Sequence, residues 1–460
     1  MNSGSNTGSN TGSNIKATTK EQLVHATNII TTLQFTTAIH FLQTTVLKHK
    51  PLHARGNFLL STCHLKAGTP TQALAPLLRA LTHAPNQKKA FLHYGLALAR
   101  SQLKDVNYAK DLKVAFHLAA STQNSALVTS IGMLYRKNKL FTQAIPVYVQ
   151  LIAFKDESFR LKARKNLATC YRRTNQLHLA KEQYILILHA LKTRTHAQDT
   201  PWSIELIEHW CAACSSDEEG TSTTTNMVAP ESFVRGLYDG YAQKFDEHLL
   251  TKLAYQTPTL LCQALLLQTT NERTLSSVPF RNVCDLGCGT GLMMVALLKA
   301  GLVRPSGTDQ SQPTAVSIGI DLSSAMVDKA REKQLYDVLH VGNMNNVLVP
   351  GSEYDLVCCC DVYPYVGDLD GPFRRVRNAM VHRVGGGHKG YFVFSTEEWQ
   401  ESGAAGTFKI NSSGRFLHSI QYVEDVSQRN SFDVLHLESV VLRMNGGKPV
   451  HGLIGVLQAV

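Results

Sequence analysis

The chain has 460 residues, of which 43% are hydrophobic, so it is too long for one ordinary domain and can build two apolar cores. No apolar run approaches the roughly 20 residues that span a bilayer, and the N-terminus lacks a secretory signal pattern. These features exclude a membrane-spanning protein and predict a soluble, cytoplasmic one with no membrane partner.

The net charge of +11 is unevenly distributed along the chain. Residues 1–210 hold 26 Lys and Arg against 9 Asp and Glu, whereas the remaining residues hold 20 against 26. A basic half could attract nucleic acid, but diffuse surface charge is the commoner reason for such a balance. The densest basic stretch, 160–173, has helical spacing and no interleaved exposed aromatic residues for base stacking. Nucleic acid is therefore the weaker partner hypothesis.

The N-terminal part predicts a helical repeat domain behind a short tail. Residues 1–14 are almost entirely Gly, Ser, Asn and Thr, and we expect a disordered tail over 1–20. Over 21–213, alanines recur at intervals of 35 or 36, a period typical of a solenoid of helix pairs. Each alanine is expected near the start of the second helix of a pair, and they are Ala38, Ala73, Ala109, Ala144 and Ala180. Lys113 breaks the pattern in the third unit.

A stacked array of helix pairs has a concave face that commonly holds an extended peptide. We therefore expect a protein or peptide partner, while a solenoid that only caps the second domain or promotes self-association is the alternative. Residues 214–230 are acidic and rich in Ser and Thr, and they predict a linker. A chain that begins near Met227 is then expected to fold and bind its cofactor alone.

The second part, 231–460, is organised around a strand, a glycine-rich turn and a helix. The apolar strand 283–286 contains Asp285 and is followed by Gly287, Gly289 and Gly291, and 292–299 has helical periodicity. Glycines let a ligand approach the backbone, and the start of a helix offers unpaired N–H groups. A dinucleotide-binding turn would have a similar pattern.

Four further strands end in polar residues. Strand 315–322 ends at Asp321, whose carboxylate can accept hydrogen bonds from ribose hydroxyls. We expect this carboxylate to be hydrated without ligand, so that its removal hardly affects stability. Segment 338–344 contains Asn343, whose amide suits an adenine edge. Strand 354–360 ends at Asp361, and strand 390–396 follows the glycine cluster at 384–390.

The ordered motifs D-L-G-C-G-T-G, G-I-D-L-S, Y-D-L-V-C-C-C-D and G-G-G-H-K-G-Y-F-V-F-S resemble those of class I S-adenosylmethionine-dependent methyltransferases. The flanking FVRGLYDGYAQKFDEHL and SGRFLHSIQYV resemble a bacterial-type subgroup that joins tetratricopeptide repeats to such a domain. The resemblance implies an α/β Rossmann-like fold for 231–460 and S-adenosylmethionine as cofactor. One departure is a polar segment at 304–314, predicted to be an inserted loop. The cofactor-binding residues implied are Asp285, Gly287, Cys288, Gly289, Gly291, Asp321, Leu322, Asn343, Met344 and Asp361.

Methyl transfer from a sulfonium needs no metal, so the protein must mainly align the acceptor and exclude water. Asp361 could orient or deprotonate the acceptor, or it could hold a turn. Tyr241, on a helix-and-turn over 233–250, could cover the cofactor. Arg415 would suit a carboxylate or phosphate, and His418 could be a general base. The lone pair Cys211 and Cys214 does not make a metal site.

Two hypotheses follow for the function. In the first, the chain is an active methyltransferase acting on a small molecule or on a protein delivered by the repeats. In the second, it is a repeat scaffold whose methyltransferase domain binds cofactor without turnover.

Overall fold

A computed structural model describes residues 18–154, 157–193, 202–215, 227–271, 280–303, 316–348, 351, 354–380, 390–400 and 407–460. The chain forms two compact units, Met1–Gln176 and Leu177–Val460. The expected tail at 1–14, the loop at 304–314 and most of both the linker and the glycine cluster lie outside the described residues. Within those residues, no helix combines the length and the apolar character needed to cross a membrane.

The described part of the first unit is entirely helical. Helix α2 continues through a π-helical turn, Leu42–Val46, into α3. The helices are α1 (Thr19–Thr31), α2 (Phe35–Phe41), α3 (Leu47–His49), α4 (Ala54–Lys66), α5 (Pro70–His83), α6 (Asn86–Gln102), α7 (Tyr108–Ser121), α8 (Ser125–Lys137), α9 (Phe141–Ala153) and α10 (Glu157–Arg173). The predicted helical character of this part is confirmed, whereas its assignment to the tetratricopeptide type stays a prediction.

Small residues allow helices of this unit to approach closely. Ala73 and Ala144, each the fourth residue of its helix, are fully buried. Gly132 on α8 packs against the Tyr148 ring of α9, where a Cβ atom would lie 2.7 Å from Cζ. Any larger side chain at 132 would therefore push the two helices apart.

Ala109 lies near the start of α7, as predicted, but the third unit differs from the others at the fourth position of this helix. The fourth residue of α7 is Asp111, which is buried, and Ala109 lies closer to the surface. Asp111 accepts a hydrogen bond from Arg100 and lies 3.4 Å from Nδ1 of His93. A buried carboxylate needs such partners. The 35-residue alanine spacing could not predict Asp111, because this unit has a salt-bridged acid at the position where the other units have a small residue.

The second unit adds ten α-helices, two short 3-10 helices (Ala242–Lys244 and Tyr363–Tyr365) and nine strands among the described residues. Its helices are α11 (Leu177–Thr193), α12 (Ile204–Ala213), α13 (Glu231–Asp239), α14 (Phe245–Lys252), α15 (Thr257–Asn271), α16 (Leu292–Lys299), α17 (Ser324–Glu332), α18 (Met344–Val347), α19 (Asp370–Ala379) and α20 (Ile420–Arg429). Its strands are β1 (Asn282–Leu286), β2 (Val316–Asp321), β3 (Val338–Val341), β4 (Leu356–Cys359), β5 (Tyr391–Glu398), β6 (Phe408–Ile410), β7 (Phe416–His418), β8 (Phe432–Asn445) and β9 (Lys448–Ala459).

These strands form one mixed sheet. Strands β3, β2, β1, β4 and β5 are parallel neighbours in that order, and β9 then pairs antiparallel with both β5 and β8. The short hairpin β6–β7 attaches through β7 to the carboxyl end of β5. The order reverses between β1 and β4, and open α/β sheets bind ligands at such a point. The Rossmann-like fold predicted for this part is confirmed.

Apolar residues cover both faces of the sheet. Cys284 and Leu286 of β1 belong to one buried cluster, whereas Val283 of the same strand belongs to the other. The alternation follows from the two-residue period of a strand. Parallel strands buried on both faces are apolar at consecutive positions, which explains why the run at 283–286 tolerates only one charged residue.

Helix α12 packs on the α/β sheet. Nε2 of His209 lies 3.0 Å from the carbonyl oxygen of Gly414, and Trp210 packs edge-to-face on Phe233. The structure thus divides the chain earlier than the boundary at residue 213 that the sequence suggested. A chain beginning at Met227 would lack α12 and its contact with Phe233, and its independent folding stays a prediction.

Candidate functional site

A cavity of about 250 Å³ opens at the carboxyl edge of the sheet, where the strand order reverses. One end of it is formed by the glycine turn and the ends of β2 and β3, and we call this the cofactor end. The other is formed by residues after β4 and by side chains from β7 and β8, and we call this the acceptor end. The predicted residues among its lining are Tyr241, Gly287, Cys288, Gly289, Asp321, Leu322, Asn343, Met344, Asp361 and Arg415.

The glycine turn after β1 needs glycine for two reasons. Gly287 has a φ of +69°, and a Cβ atom there would lie 2.1 Å from Cγ2 of Val362. Gly291 has a φ of +89° and directly precedes α16. The amides of Gly287 and Cys288 both donate to the carbonyl oxygen of Ile320, at 2.7 and 3.0 Å. The turn is therefore clamped between β2 and the residues that follow β4.

Asp321 lies at the end of β2 and is already hydrogen-bonded. Its Oδ2 accepts from the amide of Gly289 at 2.9 Å, and its Oδ1 accepts from the amide of Ser323 at 2.8 Å. Burial raises the pKa of this carboxyl, while these amides act in the opposite sense. The expectation of a merely hydrated acid is wrong, because Asp321 holds the turn as well as facing the cavity.

Asn343 lies after β3 with its side chain engaged on both sides. Its Oδ1 accepts from the amide of Asn345 at 2.9 Å and caps α18, and its Nδ2 donates to Glu231 at 2.8 Å. The neighbouring Met344 lines the cavity. The side-chain amide is thus oriented before any ligand arrives.

Asp285 is fully buried beneath the glycine turn and does not line the cavity. Its Oδ2 accepts from the hydroxyl of Tyr336 at 2.6 Å, while its Oδ1 has no hydrogen-bond partner among the described residues. Burial raises the pKa of Asp285 to about 7. The side chain therefore lies under the turn and outside the cavity, and a direct contact of Asp285 with the cofactor stays a prediction. Sequence reasoning missed Tyr336, which lies between α17 and β3 and carries no motif.

The segment α13–α14 covers the cofactor end. Asp246 accepts from the hydroxyl of Thr290 at 2.5 Å and from Lys333 at 2.6 Å, which ties α14 to the glycine turn. Tyr241 packs edge-to-face on Phe245, and its hydroxyl contacts Nδ1 of His248. Tyr241 lines the cavity as a wall over the cofactor end, a position that suits coverage of a ligand.

Asp361 follows β4 in an unusual backbone conformation, with a φ of +58°. Non-glycine residues rarely adopt this region, and such strain concentrates at functional sites. Its amide donates to Oγ of Ser395 at 2.9 Å, and that hydroxyl donates to its Oδ1 at 3.0 Å. Its Oδ2 lies 3.7 Å from Nη1 of Arg443. The carboxylate is thereby fixed at the acceptor end.

Arg415 lines the acceptor end and contacts both an acid and a phenol. Its Nη1 donates to Oε1 of Glu397 at 3.2 Å, and its Nη2 donates to the hydroxyl of Tyr365 at 3.3 Å. That hydroxyl also lies 3.0 Å from the hydroxyl of Tyr238. Although burial opposes the charge, Tyr365 and Glu397 hold the pKa of Arg415 above its usual value. No sequence motif marks Glu397, Tyr365 or Arg443.

His418 does not reach the acceptor, contrary to prediction. It is fully buried and outside the cavity lining, with Nδ1 2.6 Å from the hydroxyl of Thr396 and Nε2 2.9 Å from the carbonyl oxygen of Gly367. Burial lowers its pKa to about 4. The neutral ring donates from Nε2 and accepts at Nδ1, so it joins β7 to β5 and has no lone pair for general-base catalysis.

Comparison with known proteins agrees with this geometry. Residues 283–381 match the model of the family described as methyltransferase domain. The chain is 31% identical over 126 residues to magnesium protoporphyrin IX methyltransferase of Arabidopsis thaliana, covering 26% of this chain and 35% of that protein. It is 33% identical over 91 residues to magnesium-protoporphyrin O-methyltransferase of Synechocystis, covering 19% and 34%. The chain thus spans about a third of the length of these curated relatives.

Solved methyltransferase structures also align with the chain. A magnesium protoporphyrin IX methyltransferase from Synechocystis with bound S-adenosylhomocysteine aligns at 15% identity and a TM-score of 0.35, covering 50% of this chain and 100% of that one. An S-adenosylmethionine-dependent methyltransferase from Mesorhizobium loti aligns at 18% identity and a TM-score of 0.30, covering 39% and 91%.

Residues 283–381 thus match a methyltransferase domain, as the motifs predict, and S-adenosylmethionine is the cofactor implied for it. The residues present fit this cofactor. The glycine turn leaves the backbone open at Gly289, where a Cβ would meet only a ring carbon of Phe245, 4.0 Å away. Asp321 lies at the strand end that suits ribose hydroxyls.

Proposed function

We propose that this chain is an active S-adenosylmethionine-dependent methyltransferase acting on a small-molecule or protein acceptor. The observation that carries the proposal is the position of Asp361, a charged residue in a strained conformation, in the same cavity as the glycine turn. Because Gly287 contacts Val362, the residue after Asp361, the carboxylate lies beside the part of the turn proposed to hold the methionine moiety.

The cofactor would supply a methyl group bound to a sulfonium sulfur. A nucleophile attacks the methyl carbon in line with the carbon–sulfur bond, and the sulfur leaves as a thioether. The protein's own residues would bind, orient and exclude water. Asp321, Asn343 and Met344 would hold the nucleoside side, and the backbone of Gly287 and Gly289 would line the methionine side. Tyr241 and Phe245 cover the cavity and would exclude water from it. Alignment of the two reactants in such a site contributes a large share of the rate enhancement. Asp361 accepts the proton that the acceptor loses.

The N-terminal helices are proposed to be tetratricopeptide-like repeats that bind a protein or peptide partner in the cytoplasm. Their helical pairing and the excess of basic residues in 1–210 support this role and favour an acidic partner segment. Magnesium protoporphyrin is the acceptor in the names of the two curated relatives. Their short overlap with this chain does not support that acceptor over others.

The proposal is tested by incubating the full chain with methyl-labelled S-adenosylmethionine and cell extract separated into protein, RNA and small-molecule fractions. We expect label in the protein or small-molecule fraction, and at least a tenfold lower rate for Asp361→Asn with unchanged cofactor affinity. The alternative, a repeat scaffold whose methyltransferase domain only binds cofactor, predicts tight binding by calorimetry and no label in any fraction.

A further inference from the structure

Three charged side chains, two of them buried, form a triad at the acceptor end. Oε1 of Glu397 accepts from Nη1 of Arg415 at 3.2 Å and also from Nη2 of Arg443. The side chains of Glu397 and Arg443 are 6% and 8% exposed, whereas that of Arg415 is 26% exposed. Two guanidinium groups thus share one carboxylate oxygen, and the triad itself carries one uncompensated positive charge.

That positive charge is not shared equally between the two arginines. Arg443 has a second acid, since its Nη1 lies 3.7 Å from Oδ2 of Asp361. Among the described residues, the Arg415 guanidinium has as its other acceptor only the neutral hydroxyl of Tyr365. A guanidinium carries five N–H donors in a planar fork, so Arg415 keeps donors for a ligand. The more exposed arginine is therefore the less neutralised one, and it lines the cavity.

Asp361 complements Arg415 within the same cavity. Its Oδ1 accepts from Ser395, and its Oδ2 has a 3.7 Å contact to Arg443, longer than a hydrogen bond. The hydroxyl of Tyr255, which also lines the cavity, interacts with the same carboxylate. Oδ2 can therefore accept a proton from a ligand. An acceptor whose nucleophile was itself an oxyanion would be repelled by this carboxylate. The anionic group and the reacting atom must then be different parts of the acceptor.

We propose that the methyl acceptor carries an oxyanion group, a carboxylate or a phosphate, that Arg415 binds, together with a separate hydroxyl or amine that Asp361 deprotonates. This inference rests on the proposed function and specifies its substrate class. In the transfer, the oxygen or nitrogen of the acceptor forms a bond to the methyl carbon and the carbon–sulfur bond breaks. The bonding electrons stay on sulfur as a thioether, and the acceptor's proton moves to Oδ2 of Asp361 and then to water.

Glu397 is a positioning residue in this arrangement. It touches neither the proposed acceptor nor the cofactor, but it fixes the plane of the Arg415 fork from below and links it to the Arg443 side chain that contacts Asp361. Bidentate recognition depends on this plane, because a fork rotated out of it donates only one hydrogen bond. The distance between the anion site and the base is thereby set by a buried, hydrogen-bonded scaffold.

The test separates labelled methyl acceptors by charge. Extract is passed over an anion exchanger at pH 8, and retained and unretained fractions are each incubated with the full chain and labelled S-adenosylmethionine. We expect label in retained acceptors. Prior amidation of carboxylates with carbodiimide, or prior phosphatase treatment, should abolish labelling in one of the two arms and so identify the anion.

Matched variants then connect the anion to Arg415. For the labelled acceptor, Arg415→Gln should raise KM at least tenfold with a smaller change in kcat and an unchanged Kd for S-adenosylmethionine. The control is Arg374→Gln on α19, which removes a surface arginine with an ion pair to Asp370 at 3.8 Å. It should leave KM unchanged. Arg415→Lys, which keeps the charge without the fork, should give an intermediate KM.

The outcomes distinguish this inference from the function on which it rests. Label confined to unretained acceptors, or an Arg415→Gln variant that is folded and has a normal KM, would overturn the anion site while leaving the methyltransferase intact. Absence of label from every fraction would overturn the proposed function and the substrate class together. If Arg415→Gln does not fold, Tyr365→Phe is the second variant, because it removes a neutral hydrogen-bond acceptor of Arg415 without leaving a buried charge unpaired. An unchanged KM of Tyr365→Phe for the labelled acceptor would count against the anion site at Arg415.

Discussion

The two ends of the cavity are built in different ways. The cofactor end consists mainly of backbone groups, with Gly287, Gly289 and Asp321 held together by amide hydrogen bonds between β1 and β2. The acceptor end consists of side chains that start from four different strands and loops and meet in charged contacts. Backbone geometry is hard to vary, whereas side-chain contacts can change one residue at a time. This difference explains how the cofactor end can retain the same ligand while substitutions at the acceptor end change which acceptor is bound.

The largest expected effect tests whether the cofactor end depends on backbone geometry. In Gly287→Ala, the new Cβ would lie 2.1 Å from Val362 in a residue with positive φ. We expect a loss of at least about 3 kcal/mol of stability, from overpacking and left-handed strain together, and at least about a hundredfold weaker cofactor binding. Calorimetry and denaturant unfolding measure both quantities.

Gly446→Ala is the matched control for this variant. Gly446 lies at the tip of the β8–β9 hairpin and also has a positive φ, +59°, but a Cβ atom added there would meet no other atom within 4 Å. The substitution should cost about 1 kcal/mol and leave cofactor binding unchanged. Equal losses in the two variants would show that strain alone, and not the contact with Val362, governs position 287.

The cofactor end could be predicted from the sequence because its residues are close along the chain. The predicted helix 292–299 is the observed α16, and the strand ending at Asp321 is β2. Alternating glycines and a strand-end acid are local signals with a direct structural cause. The hydrogen bonds of the Asp321 carboxylate to the amides of Gly289 and Ser323 were not predicted, because residue spacing does not show which backbone amides a side chain will meet.

The acceptor end could not be predicted because it depends on strand pairing. Glu397 and Arg443 are 46 residues apart and meet because β5 and β8 both pair with β9. Arg415 lines the cavity, and its contact with the acceptor stays a prediction, whereas His418, three residues later on the same hairpin, lies in the interior. Adjacent residues of a strand face opposite sides, and nothing in the sequence shows which side of a three-residue strand is buried.

The second expected effect concerns His418 as a structural residue. Its folded-state pKa of about 4 lies below its usual value of 6.5. Between these values the unfolded chain binds a proton that the folded chain does not, so stability falls as pH decreases from 6.5 and is independent of this group above it. The total loss is about 3 kcal/mol at pH 4. His418→Asn should lack this slope.

The slope is measured by urea unfolding at several pH values between 4.5 and 7.5. The three tryptophans, Trp202, Trp210 and Trp399, all belong to the second unit, so their fluorescence reports on the unit that contains His418. Because other groups titrate in both proteins, the informative quantity is the difference between parent and variant. If the unfolding free energies of the parent and of His418→Asn change with pH in the same way, His418 is not a buried neutral histidine. A large loss of turnover at pH 7.5 in a folded variant would instead indicate that His418 acts at the acceptor end.

The smallest expected effect separates the two tasks of Asp321. In Asp321→Ala, the amides of Gly289 and Ser323 lose their acceptors, and hydrogen bonds to a charged group contribute roughly 1.5 to 3 kcal/mol each before water replaces them. We expect stability to fall by about 1 to 2 kcal/mol and the dissociation constant of S-adenosylmethionine to rise about tenfold or more, since about 1.4 kcal/mol is a decade.

Asp337→Ala provides the comparison for Asp321, because it removes a similar bond at the opposite edge of the sheet. Oδ2 of Asp337 accepts from the amide of Ser317 at 2.7 Å, but this carboxylate is exposed at the amino end of β2. Water can replace it there, so we expect a loss below about 1 kcal/mol and unchanged cofactor affinity. If Asp321→Ala lowers stability without weakening cofactor binding, the carboxylate only holds the glycine turn. If it weakens binding without lowering stability, the amides of Gly289 and Ser323 find other acceptors, and the ribose contact is the main task of Asp321.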